Sequence, residues 1–392
     1  MKKVLICGIA AIIILLRISG ASAQSMRGFS NLQVHYNFGD QVVFQSTLDE
    51  TTGIENIFLF LEQSGEDTLV RPAEISPNGI VETILDLKQY PLRPYATVSY
   101  YFRLKTVNGD SYESERGSFE YVDNRFRWDL LEDKSFQVYW YGRDVTFGQS
   151  ILNVAHAGLE SAQRYINAPL PMPLKIYVYE NATDLQFALA LSQQNAWVAG
   201  HASPDLNTIL VSIPSDPQQQ LELERQIPHE IAHILQFSLV GEKYALLPVW
   251  LLEGSASLAE LYPNPDYPRA IVDAVQSEGI LAYDSLCITF PRDASGAFLA
   301  YAQSESFIRY IYQNYGTSGL TKLFEVYADG LGCEEGAHAA LGIGLNELDF
   351  RWQQSSLGIN SGWLAARNLS PYFLLLVVLL VPPLAVGLFK RR

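Results

Sequence analysis

Residues 229–233 read His-Glu-Ile-Ala-His. On a helix, positions four apart stand one above the other, so His229 and His233 can offer both imidazoles to one ion. Glu230 lies beside them, placed to touch a water held by that ion. This chemistry is hydrolysis at a metal, with His229 and His233 as ligands and Glu230 as general base. The chain has only 6 His in 392 residues, so the spacing is rare by chance. Pro228 suits the first turn of a fresh helix, or a kink in one begun at Asp216-Pro217. Leu235 and Phe237 would pack that helix into a core, and Gly241 would stop it.

A catalytic zinc takes three protein ligands and keeps one position open. A His six residues after the second one, with Gly at the third, would mark a metzincin. Leu239 and Gln236 occupy those positions and exclude that class. Further on, Pro248 can open a second helix and Glu253 would lie on its inner face one turn in. Gly254 and Ala256 would let the two helices approach. Glu253 is favoured as third ligand over Glu242, in the loop beside Gly241 and Lys243, and over Glu260, two turns further along.

Pro228-His-Glu-Ile-Ala-His233 followed by Trp250-Leu-Leu-Glu-Gly-Ser-Ala256 resembles the peptidase MA-like zinc metallohydrolases, gluzincins of the thermolysin type. The resemblance implies an α+β zincin domain over residues 128–356. It also implies one zinc ion on His229, His233 and Glu253, with Glu230 as base. Trp197-Val-Ala-Gly-His-Ala202, with the strand near Ile209, resembles the family's edge strand. Leu299-Ala-Tyr-Ala-Gln-Ser304, with Tyr315-Gly316, resembles its downstream helical part. Zinc would bring the pKa of its water to about 7, and Glu230 would pass the proton to the leaving amine. Tyr301 and His201 are the candidate donors to the oxyanion. The strand at 208–213 is expected to pair with an extended peptide or to be an ordinary strand of the domain sheet.

The elements that must hold this site alternate between the two backbone periods. Residues 149–165 have helical spacing, with Ile151, Leu152, Ala155, Leu159 and Ala162 on one face. Leu174–Tyr179 reads as a strand bounded by the prolines at 169–173, and Thr183-Asp184 opens a helix to Ser192. Residues 28–122 are different. Short aromatic and β-branched runs at Val42–Phe44, Ile57–Leu61 and Val98–Leu104 are separated by turn signals, as in an all-β sandwich. Tyr100–Asp110 with Glu115–Tyr121 resembles the last hairpin of immunoglobulin or fibronectin III-like modules. It brings no catalytic group, so this unit is expected to be a spacer or docking module.

The two ends set the expected compartment. Lys2 and Lys3, an apolar run from Val4 to Leu16 and Ala21-Ser-Ala23 form a signal-peptide pattern over residues 1–23. After a linker at 357–370, residues 371–389 are 19 positions without a charge, long enough for a ~30 Å hydrocarbon core. The tail at 390–392 is three cations, which places it in the cytoplasm. Cys287 and Cys333, the two mature cysteines, are expected to pair in an exported chain. The chain holds 27 Lys+Arg against 42 Asp+Glu, a net −15. Without the six cations of the two ends the remainder is −21, which excludes a nucleic-acid binder. Hydrophobic residues at 48% and charged ones at 18% exclude a disordered chain. The expectation is a single-pass cell-membrane protein whose extracytoplasmic zinc metallopeptidase domain cleaves a peptide or protein substrate. The alternative is a catalytically weak peptidase-like adhesion or ligand-binding surface module, which an intact Glu230 disfavours.

Overall fold

The computed structural model describes residues 28–191 and 200–358, with positions 369 and 372. The expected signal peptide at 1–23, most of the linker, the transmembrane segment at 371–389 apart from Tyr372, and the tail at 390–392 lie outside the described residues. Among the described residues, no helix is long and apolar enough to cross a membrane. The chain divides after Val122 into two compact units.

The first unit is β-rich. One antiparallel sheet has the order β1 (Phe29–Asn37), β2 (Gln41–Leu48), β6 (Ile80–Asp86), β5 (Glu74–Ile75). The other has the order β4 (Leu69–Pro72), β3 (Ile54–Gln63), β7 (Thr97–Thr106), β8 (Ser111–Glu113), and β9 (Gly117–Glu120) also pairs with β7. Side chains alternate across a strand. Val42, Phe44 and Leu48 of β2 and Val98, Phe102 and Leu104 of β7 are therefore buried. The Phe44 and Tyr100 rings meet between the sheets at 4.9 Å.

The second unit builds a five-stranded sheet in the order β10 (Asp129–Glu132), β11 (Phe136–Trp140), β12 (Leu174–Tyr179), β14 (Thr208–Ser212), β13 (Gly200–Ser203). β11, β12 and β14 are parallel, and β10 and β13 run antiparallel at the two edges. The parallel strands need crossovers, supplied by α1 (Val145–Gln163) and α2 (Ala182–Leu191). Then follow α3 (Gln219–Val240), α4 (Val249–Ala259), α5 (Tyr267–Gln276), α6 (Tyr283–Leu286), α7 (Ala294–Ala328), α8 (Cys333–Leu341) and α9 (Leu345–Ser356). The core joins Val138, Ile176 and Ile209 of the sheet to Ile151 and Ala155 of α1 and Ile227 and Ile231 of α3.

Local chemistry explains where these elements depart from expectation. α1 starts four residues early because the Asp144 side chain accepts from the Thr146 and Phe147 amides and caps the helix there. α3 starts at Gln219, not Pro217, because Asp216 closes a turn first: its carboxylate takes the Gln218 amide at 2.7 Å and its carbonyl the Gln219 amide at 3.1 Å. β14 pairs with β12 on one side and β13 on the other. It has no open edge, so it is an ordinary strand; the edge belongs to β13.

Pro228 begins no new helix but lies inside α3. It has no N–H for the Glu224 carbonyl, and that carbonyl instead accepts from Leu261 at 2.9 Å. The proline thus fastens the end of α4 to α3 one residue before the motif. Gly158 makes room for it on α1: a Cβ there would stand 2.8 Å from the Pro228 ring.

Candidate metal centre and its cleft

α3 presents His229 and His233 on one face, with ring centroids 5.0 Å apart. α3 ends at Gly241, where φ is +64°, and the chain turns back through 241–246. The Cys287 carbonyl accepts from Val249 at 3.1 Å at the start of α4, and Cys287 is itself joined to Cys333. One turn into α4, the Glu253 Oε2 lies 3.3 Å from His229 Nε2 and 3.7 Å from His233 Nε2. The three ligand atoms lie within 4.8 Å of one another. Bonds of 2.0–2.1 Å in a tetrahedron separate two ligand atoms by about 3.3 Å, so this donor set fits one zinc ion.

The opposite ring nitrogens fix the tautomers. His229 Nδ1 lies 3.2 Å from Glu260 Oε1, and His233 Nδ1 lies 2.9 Å from Gln236 Oε1. Gln236 is oriented in turn, since its amide donates to the Leu252 carbonyl at 2.8 Å and to Ser255 at 2.9 Å. The Tyr244 hydroxyl is 3.1 Å from His233 Nδ1. With each Nδ1–H donated outward, both Nε2 lone pairs face Glu253, the arrangement a metal needs. Glu260→Ala is therefore expected to weaken zinc binding by about 10–100-fold, read by competition with a chromogenic chelator. Unchanged affinity would make Glu260 a bystander.

Burial alone would raise Glu253, but without a metal the two histidines hold protons toward it, and their charge outweighs burial and keeps its carboxyl well below the usual range. Glu230 is different. Burial pushes its carboxyl up against the pull of the two histidines, which makes it the stronger proton acceptor of the pair. Glu230 is outside the ligand trio and touches the edge strand, where the Ala202 amide bonds to it. A Cβ on Gly200 would come 2.5 Å from Glu230 Oε1. Gly200→Ala is thus expected to leave zinc content unchanged and to lower the cleavage rate about 10²-fold by displacing the base. Zinc analysis and initial rates on one preparation check both halves.

A cleft of about 440 Å³ opens on these groups. His201 on β13 and Tyr301 on α7 both line it. The Tyr301 hydroxyl is bonded to Glu253, and its ring lies 6.3 Å from that of His229. Sequence reasoning left the groups behind the imidazoles unassigned. Glu260 is seven residues from Glu253 and Gln236 three from His233, so helical spacing was the signal available for both.

No curated protein matches this sequence significantly. Among solved structures, an aminopeptidase N family protein from Idiomarina loihiensis is similar at 9% identity. The match covers 84% of this chain and 74% of that one, with a TM-score of 0.36. A mutant M1 zinc metallopeptidase from Deinococcus radiodurans is similar at 10% identity, covering 84% and 94%, with a TM-score of 0.31. These likenesses are too distant to carry residue roles across. The sequence model of the Peptidase MA superfamily matches residues 154–358, just over half of the chain and the whole metal centre. This chain therefore belongs to the Peptidase MA superfamily.

Proposed function

We propose that this protein is a zinc metallopeptidase that hydrolyses peptide bonds of a peptide or protein substrate, held by one C-terminal helix with its catalytic unit outside the cytoplasm. The observation that carries the reading is the meeting of three ligand atoms from α3 and α4 with a separate, buried carboxylate, Glu230, beside them. A bound zinc ion supplies a Lewis acid and a water acidified into the neutral range. Glu230 takes the proton of the attacking water and delivers it to the leaving nitrogen. The Ala202 amide holds Glu230 in place meanwhile. Tyr301 acts as donor to the developing oxyanion, with His201 also lining the cleft. The edge strand β13, beyond which no further strand stands among the described residues, pairs with the substrate backbone. The proposed address follows from the patterns at 1–23 and 371–389, and nucleic acid is not a partner of so acidic a chain.

The test is zinc content and casein cleavage by the purified full chain. About one zinc per chain, cleavage lost on chelation and cleavage restored by zinc are expected. A metal-loaded protein that cleaves neither casein nor a peptide panel would leave a peptidase-like binding module.

A further inference from the structure

A second cavity, of about 620 Å³, lies between α5 and α7 and shares one wall with the metal-centre cleft, the side chain of Tyr267. Its volume is in the range of sites that bind organic ligands. Tyr267 stands half-buried at the start of α5. Phe298 supports its ring at 5.2 Å. Beyond it the walls are mostly apolar, from Pro268, Ile271, Val272 and Val275 of α5 and from Leu357, with Asn264, Gln276 and Ser356 among them. The charged groups in the lining are Glu305 and Arg309. They are spent on each other, with Arg309 Nε donating to Glu305 at 3.0 Å, and the Ser306 hydroxyl takes the Trp352 indole at 3.2 Å. A charged ligand would find no uncompensated partner there. An apolar one would cover Val272, which is 51% exposed and gains from being covered.

We infer that the cavity behind Tyr267 is a subsite that takes an apolar side chain of the polypeptide bound across the zinc cleft, at a position away from the scissile bond. The shared wall favours the substrate as occupant, because Tyr267 faces both the cleft and the cavity. The inference rests on the peptidase reading, and two readouts separate them.

The first readout is cleavage of decapeptides in which each position in turn is Phe or Ala, by the zinc-loaded full chain. One position is expected to prefer Phe by about tenfold or more. Val272→Asp is expected to erase that preference, and Val145→Asp, a more exposed site on α1, to keep it. No preferred position, or a preference that survives Val272→Asp, overturns the subsite. The second readout needs no turnover. In a Glu230→Gln background, maleimide labelling of Val272→Cys, measured against the Glu230→Gln parent, is expected to slow several-fold with the Phe peptides and not with the Ala set. Labelling indifferent to peptide, or blocked without any, gives the cavity to another occupant and overturns the inference. If the wild type cleaves nothing, the peptidase reading fails, and the labelling result decides the cavity alone.

Discussion

Glu230→Gln is expected to lower the rate of casein cleavage by about 10²–10⁴-fold while zinc per chain stays at its wild-type value. The magnitude is that of losing a positioned general base. The side chains have the same shape, and the amide oxygen can still accept from Ala202, so the fold and the edge-strand contact persist. The ligand atoms belong to His229, His233 and Glu253, so metal is retained. The amide cannot take up a proton, and it lacks the carboxylate's charge beside the two histidines. Elemental analysis and initial rates on one preparation decide the matter. Cleavage within tenfold of wild type would move the base elsewhere, and His201, which also lines the cleft, would be the first residue to test.

The metal centre was legible because it is written in short helical spacing. His229 and His233 are one turn apart on α3, and Pro248 and Gly241 mark the ends that put Glu253 opposite them. What lies behind the imidazoles was harder to read. Glu260 reaches His229 from the end of another helix, which sequence spacing alone does not show, whereas Gln236 sits three residues from His233 on α3 and is fixed by its bonds to α4. Pro228 shows the limit plainly. A proline ahead of a motif reads either as a helix start or as a break inside a helix already begun, and it stands inside α3, because the carbonyl it leaves free is taken by Leu261 from another element. Tertiary pairing of this kind overrides a local rule.

The sheet of the second unit divides the same way. Leu174–Tyr179 appears as expected, since its apolar run is bounded by prolines and buried on both faces. The edge could not be assigned from pattern. Thr208–Ser212 is apolar enough to look like a strand awaiting a partner, but both its neighbours are present. The short Gly200–Ser203, half-buried throughout, holds the edge because Gly200 is what lets a backbone lie against Glu230.

Gly254→Ala is expected to destabilise the protein by about 3 kcal/mol, at the upper end for overpacking, and so to lower Tm by roughly 6–12 °C for a unit of this size. A Cβ at this position would stand 2.5 Å from the Ser304 carbonyl oxygen, 2.7 Å from its carbon and 2.8 Å from Ile308. Two of these atoms are backbone in the middle of α7, so relief requires one helix to move away from the other. Glu253 precedes the glycine, and Tyr301 lies one turn before Ser304, so the same movement opens the metal centre. Zinc affinity should therefore fall with Tm. The contrast with Gly200→Ala is the informative part. There the added methyl meets the far end of a flexible carboxylate, so Tm should hold while turnover falls. Calorimetry and zinc competition on the two variants side by side test the distinction. A Gly254→Ala protein with wild-type Tm and zinc affinity would mean that α4 and α7 are not held as close as the fold requires.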